Sequence, residues 1–338
     1  MLGAHTMEFQ TQPLVSVVTP VYNGERYLRE CIESVLAQTY QNWDYTIVNN
    51  CSTDRSLEIA QEYADKDSRI SIHNNQEFLG IIANHRTALR RISERSKYCK
   101  VVFADDWLFP ECITKMVELA EANLSVGIVG AYGLTSTKVT WNGLPYQRNV
   151  VSGREICRST LLGGRYIFGT LTSLLIRSDL VRALKAFDEY SNLHADTEAC
   201  YELLQHSDFG FVHQILTYTR TDNDSTLAYC DRINTLKAAT LLHVIRHGPV
   251  YLTEAQLASC VELRMKDYYR FLAQSVLQSR GTEFWVYHKT ALEQMGHPLN
   301  RVKLFKALSM EILDILLNPK RIIGILVRRC FRPLASVF

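Results

Sequence analysis

A chain of 338 residues with an apolar share of 47% can hold one large domain or two modest ones. Its net charge of +2 leaves no whole-chain footprint for nucleic acid. The nine cysteines are odd in number and form no C-x-x-C pair, which fits free thiols in a reducing, cytoplasmic compartment better than a disulfide framework.

The chain opens on polar, mixed residues without the pattern of a signal peptide. Residues 1–6, ahead of Met7, read as an expression-vector remnant, and 1–12 are set aside as disordered. The spacing then predicts a buried strand over 14–19, closed by Pro20, and a helix whose apolar residues Leu28, Cys31, Ile32, Val35 and Leu36 repeat at helical intervals. A strand over 43–48 follows, then a helix over 56–63 with Asp54 as its cap, a strand over 69–73, a helix over 81–92 and a strand over 98–104. Alternating strands and helices imply βαβ units and an α/β fold, with a mostly parallel central sheet flanked by helices.

Farther on the pattern loosens. Strands are expected within 126–139, a loop over 141–152, a strand over 171–176, helices over 179–187 and 196–204, and an extended run over 209–219. Beyond residue 226 the chain reads as helix, with 254–277 the longest stretch. The expected division is an α/β domain over 13–226 and a helical region over 227–338.

Three strand ends carry polar chemistry. The first ends in Thr19-Pro20-Val21-Tyr22-Asn23-Gly24-Glu25, where Pro20 fixes the backbone and Gly24 permits a tight bend. The second ends in Asn49-Asn50-Cys51-Ser52-Thr53-Asp54, and the apolar run Val101-Val102-Phe103-Ala104 ends in Asp105-Asp106. Each has a plainer reading as a turn or a helix cap, Asp106 capping a helix from Trp107 among them. Together they open onto the carboxyl edge of one sheet, where doubly wound folds bind nucleotides. A hard divalent cation between a carboxylate and substrate phosphates would offset the acidic pair.

In order and spacing, Thr19-Pro20-x-Tyr22-Asn23-Gly24-Glu25-x-Tyr27-Leu28, Ser34-Val35-Leu36-x-Gln38-Thr39-Tyr40, Asn49-Asn50-x-Ser52-Thr53-Asp54 and Ala104-Asp105-Asp106 resemble family 2 glycosyltransferases of the GT-A fold. The resemblance is strong over 13–115, thinner to about 226, and absent from the helical region. It implies a sugar-nucleotide donor, usually a uridine diphosphate sugar, and a divalent metal, Mn²⁺ or Mg²⁺. By position it implies a donor site of Pro20, Tyr22, Glu25, Asn50, Asp54, Asn84, Ala104 and Asp105, with the metal on Asp105 and Asp106. This chain departs from the family pattern where many members have Asp-Asp for Asn49-Asn50, an acid for Phe103, and Arg-Asn for His85-Arg86.

An inverting transfer also needs a carboxylate to take the proton of the attacking hydroxyl. Asp196, opening a predicted helix, stands at the family's base motif, with Glu198 in reserve; the plain alternative is an acidic pair facing the helix dipole. In Tyr218-Thr219-Arg220-Thr221-Asp222, Asp222 takes the place of a family histidine and reads as a solvated loop residue or a metal ligand. A dinucleotide G-x-G-x-x-G and a Walker loop are missing.

From Arg301 onward eight Lys/Arg face only Glu311 and Asp314. Basic ends around a short apolar core suggest a membrane-surface element over 301–338; the alternative is a helix packed on its own core or on a homo-oligomer partner. The resulting expectation is an inverting glycosyltransferase acting on a glycan or lipid-linked acceptor in surface polysaccharide or glycoconjugate synthesis. A sugar-nucleotide-binding pseudoenzyme or assembly partner is the rival, and a nucleotidyltransferase is disfavoured by the missing phosphate loop.

Overall fold

The computed structural model describes residues 12–185, 193–221 and 226–318. They fall into two compact units, one up to Ala228 and one from Tyr229 onward.

The valine-rich run forms β1 (Val15–Val21), buried along its whole length. A strand covered on both faces needs apolar groups on both, and its few polar ones must be hydrogen-bonded. Thr19 Oγ1 accordingly donates to the Val102 carbonyl at 2.7 Å, and Ser16 Oγ accepts the Ser93 N–H at 2.9 Å. Then come α1 (Leu28–Leu36), β2 (Trp43–Asn49), α2 (Ser56–Ala64), β3 (Ile70–Asn74), α3 (Ile81–Leu89) and β4 (Tyr98–Val101).

The later half holds β5 (Trp107–Leu108), α4 (Cys112–Ala122), β6 (Val126–Thr135), β7 (Lys138–Thr140), β8 (Val150–Val151) and α5 (Gly153–Leu161). A 3₁₀ turn (Leu171–Ser173), β9 (Leu174–Arg177), α6 (Ser178–Ala183), α7 (Ala195–Leu203) and β10 (Asp208–Tyr218) complete it. Ten strands make one sheet in the order β3-β2-β1-β4-β9-β6-β10-β5, with β7 on β6 and β8 on β10. Pairing is parallel through β3-β2-β1-β4 and again between β6 and β10, while β9 runs against both of its neighbours. Because β9 reverses between them, β4 and β6 point the same way. The carboxyl ends of β1, β2, β3, β4, β6 and β10 therefore share one edge.

The second unit is helical: after α8 (Thr226–Ile233) come α9 (Thr235–Tyr251), α10 (Glu254–Leu277), α11 (Thr282–Gln294) and α12 (Arg301–Leu317). Helix α10 opens on a capping box, Thr253 accepting the Gln256 N–H while the Gln256 side chain accepts the Thr253 N–H. Leu241, Tyr268, Leu272, Phe284 and Leu292 form its core. His288 lies inside that core with Nε2 2.9 Å from the Ile233 carbonyl and Nδ1 facing the Tyr268 hydroxyl. Burial pushes its imidazole down to about 4, so a neutral ring donating from Nε2 and accepting at Nδ1 satisfies both contacts.

Several expectations shift. Residues 102–104 leave the sheet after Val101, the helix over 81–92 stops at Leu89, and the segment at 171 begins as a 3₁₀ turn. Helices α4 and α5 were not expected from the sequence. Asp106 caps no helix, because Trp107–Leu108 is a strand paired with Thr217 and Tyr218 of β10. Asp222, most of residues 1–12 and the end of the chain from 319 lie outside the described residues.

Candidate active site

The first two loops at the carboxyl edge are tied by their own polar groups. Asn23 adopts the left-handed φ of 50°, which Asn tolerates, and its Oδ1 accepts the Thr53 N–H at 2.8 Å. Gly24 serves close approach: a Cβ there would stand 2.8 Å from Val21 Cγ2 and 3.5 Å from the Ala104 methyl. That closeness brings the acidic turn against the first loop. Glu25 and Asp54 bind reciprocally, the Glu25 N–H donating to Asp54 Oδ2 (2.9 Å) and the Arg55 N–H to Glu25 Oε2 (3.0 Å). Burial works to raise the Asp54 carboxyl, but hydrogen bonds from Ser56 and from the Glu25 N–H outweigh it, and Asp54 sits below the usual carboxylate range.

Asn50 and Asn84 are buried and share Asn75, whose side-chain amide donates to both carbonyl oxygens at 2.9 Å. Asn50 also accepts the Leu79 N–H (2.9 Å) and donates to the Leu79 carbonyl (2.8 Å). An aspartate has no N–H for that carbonyl, so the amide at position 50 has a local cause. This shapes the turn that presents Phe78, 60% exposed, edge-on to Tyr22, 49% exposed, with ring centroids 4.8 Å apart. Sequence reading passed over Phe78, which follows no motif. Pro20 is buried inside β1 opposite Val48 and sets the backbone rather than the surface. The two departures Phe103 and His85 meet each other as stacked rings at 4.9 Å, and burial pushes the imidazole down to about 4.

Asp105 is half-buried and Asp106 only 2% exposed. Asp106 Oδ1 accepts the Arg220 backbone N–H at 3.1 Å, while its buried Oδ2 has no hydrogen-bond partner. Burial, and then the charge of Asp105, push the Asp106 carboxyl up to about 8, against the nearby Thr172 hydroxyl and Arg220. An orphaned buried oxygen beside a second carboxylate is a poor arrangement without a cation and a fitting one with it. No group of three or more His, Cys, Asp or Glu side chains able to hold a metal occurs among the described residues. Two carboxylates nevertheless suit Mg²⁺ or a similar ion, whose remaining ligands are water and substrate phosphate. Arg220 also donates from Nε to the Asp105 carbonyl (3.2 Å), pairs with Glu30 (2.6 Å) and lies 4.2 Å over the Tyr27 ring.

Asp196 sits in the first turn of α7, its Oδ1 accepting the Thr197 N–H at 2.7 Å. The Thr197 hydroxyl meets the Tyr166 hydroxyl at 2.8 Å, which in turn donates to the Gly169 carbonyl at 3.0 Å. Three residues on, Thr172 Oγ1 accepts the Phe103 N–H at 3.1 Å. A continuous segment, 166–172, thus runs between the Asp196 turn and the acidic pair. Asp196 keeps some surface, yet the surrounding protein desolvates its carboxyl and pushes it up to about 6, with Thr197 opposing. Glu198 is fully buried. A recess of about 300 Å³ bordered by Arg86, Leu89, Arg90, Val181 and Leu184 shares no residue with this site.

A mixed sheet with nucleotide-type loops and an acidic pair on one carboxyl edge defines a GT-A architecture. Residues 16–182 match the family model for glycosyl transferase family 2. The chain belongs to that family. Glycosyltransferase GlyA of Streptococcus pneumoniae serotype 4 is 38% identical over 116 residues, 33% of this chain and 16% of its own length. The uncharacterized glycosyltransferase RT0329 of Rickettsia typhi is 30% identical over 218 residues, 63% of this chain and 66% of its own. This chain spans well under half of several curated relatives, 36% of one from Haemophilus influenzae and 16% of GlyA. S. aureus TarS 1–349 in complex with UDP-GlcNAc superposes with a TM-score of 0.60 at 16% identity, covering 83% of this chain and 80% of that one. Mannosyltransferase PcManGT from Pyrobaculum calidifontis, in complex with GDP-Man and Mn²⁺, gives 0.51 at 14% identity, covering 90% and 88%. Both are likenesses of fold.

Proposed function

We propose that this protein is an inverting glycosyltransferase that moves a hexosyl or N-acetylhexosaminyl group from a nucleoside diphosphate sugar, of the uridine type, to a hydroxyl of a glycan or lipid-linked acceptor. The observation that carries the reading is the unpartnered Asp106 Oδ2 beside Asp105, at the edge where the loops of Tyr22 and Asp54 are stitched together. Tyr22 and Phe78 would face the base, while Glu25, Asn50, Asp54 and Asn84 hold the loops that frame it, with Pro20 and Ala104 beneath. Asp105 and Asp106 would hold Mn²⁺ or Mg²⁺, whose charge offsets that of the diphosphate leaving group. Asp196 would accept the proton of the attacking hydroxyl, and its raised carboxyl suits a base working near neutral pH.

The family membership and the UDP-GlcNAc complex of a neighbour in fold support a sugar-nucleotide donor. The eight cysteines among the described residues are unbridged, which supports a reducing, cytoplasmic setting. An acceptor of that class would put the reaction in surface polysaccharide or glycoconjugate synthesis. Incubation with a panel of sugar nucleotides and Mn²⁺, with and without glycan acceptors, should release nucleoside diphosphate from one donor and stop on chelation. Tight nucleotide binding without any release would instead identify a sugar-nucleotide-binding pseudoenzyme.

A further inference from the structure

Helix α12 has two chemically opposite faces. Its acids both lie toward α10: Glu311 is buried, pairs with Arg270 and accepts from Gln274 Nε2 at 3.0 Å, and Asp314 stands 3.9 Å from Arg270. Leu304 packs on the core of the second unit from the same side. At 3.6 residues per turn, Val302, Phe305, Ile312, Leu313, Leu316 and Leu317 fall on the opposite side. All are exposed, Phe305 at 71% and Leu317 at 74%. The charges among or beside them, Arg301 and Lys306, are exposed and both positive. Among the described residues no helix is long and apolar enough to cross a membrane.

We propose that this face of α12 docks on an anionic lipid surface. An apolar stripe flanked by long cationic side chains can sink its hydrocarbon into the headgroup boundary while the charged ends remain among phosphates. Charge decides among the occupants. A second copy related by a two-fold axis would present the same patch, adding cations of the same sign and no acid to pair them. Residues 319–338 carry Lys320, Arg321, Arg328, Arg329 and Arg332 and no acid, so they repeat the sign of this face. The proposal stands apart from the donor site, since lipid binding is read without any sugar nucleotide.

The test is co-sedimentation of the full chain with vesicles of phosphatidylcholine, alone or mixed with phosphatidylglycerol, across a salt series. The protein should partition to the mixed vesicles, release with salt, and leave neutral vesicles largely empty. The double variants Phe305→Glu with Leu316→Glu, and Arg301→Glu with Lys306→Glu, should each lower partitioning roughly tenfold or more while circular dichroism and melting stay those of the parent. The second pair leaves the apolar stripe whole, so a folding defect in the first cannot decide the result. Failure of the parent to bind, or parental binding by both variants because 319–338 suffices alone, overturns the proposal. So does a lipid-free dimer that the Phe305 and Leu316 substitutions split.

Discussion

Arg220 gives its backbone N–H to Asp106 Oδ1 at 3.1 Å and its side-chain Nε–H to the Asp105 carbonyl at 3.2 Å, so one residue at the end of β10 holds both members of the acidic pair. The same guanidinium reaches Glu30 and stacks on Tyr27, both from the segment after β1. The pair is thereby fixed to the far half of the sheet and to the first helix at once. Its geometry does not depend on the turn alone.

Replacing Arg220 with Ala keeps the backbone bond to Asp106 but frees the Asp105 carbonyl and strips a planar cation from Tyr27. Hydrogen bonds from a charged donor contribute about 1.5–3 kcal/mol. Donor affinity, measured by titration with nucleotide and Mn²⁺, should fall about tenfold to a hundredfold. Lys in its place restores charge without the fork and should recover only part of the loss. Unchanged affinity in Arg220→Ala would mean that the turn holds itself.

The pH profile should report Asp196. A folded-state value of about 6 predicts an acid limb in kcat/KM that falls about tenfold per pH unit below it. The stability sign is opposite to that of a salt-bridged acid. With the folded value above the unfolded one, the folded state binds more protons between about 4 and 6, so stability declines as pH rises through that window. Asp196→Asn should therefore abolish transfer and leave nucleotide binding intact. At pH 7 it should melt no lower than the parent, with a gain of up to about 3 kcal/mol. Retention of near-full turnover would remove the base assignment.

Phe78 and Tyr22 are exposed, so neither carries much folding energy. Phe78→Ala should change stability by less than about 0.5 kcal/mol. Loss of a ring that stacks on a base costs on the order of 1–3 kcal/mol of binding. The donor KM should therefore rise at least several-fold with kcat little changed. An equal fall in kcat would place Phe78 nearer the reacting atoms.

Lys100 is fully buried in β4, donating to the Thr172 carbonyl at 2.6 Å and the Leu174 carbonyl at 3.1 Å. Met in its place removes the desolvated charge but orphans two carbonyls, at about 1–3 kcal/mol each. A net loss of roughly 2 kcal/mol, several degrees in a melt, is expected. Since Thr172 supports the Phe103 N–H, donor binding should weaken alongside. A Lys100→Met protein as stable as the parent would show that the lysine's own desolvation cancels its bonds.

Much of the first unit was legible in the chain itself. The alternation from β1 to β4 is written in β-branched runs and helical spacing, each a local property, and β10 and α10 lie where their patterns placed them. The motifs at the ends of β1, β2 and β4 were equally visible, because Pro, Gly, Asn and Asp mark turns by their own backbone chemistry. Helix α4 was not: its apolar residues Cys112, Ile113, Met116, Val117 and Ala120 follow Pro110 without a capping signal. Asp106 invited the wrong local reading for a similar reason, since an Asp before Trp107 looks like a cap until β10 claims Trp107–Leu108 as a strand.

By itself, then, the sequence determined the alternation of strands and helices from β1 to β4, the strand β10, the helix α10 and which residue types stand at the strand ends, since periodicity and turn chemistry act within a few residues. Only the tertiary structure decided what those residues touch. Arg220 lies more than a hundred positions from Asp106, Asn75 spends its amide on Asn50 and Asn84, and Phe103 meets His85 across two elements. Burial has the same origin: the raised carboxyls of Asp106 and Asp196 arise from desolvation by distant parts of the chain, which no local pattern encodes.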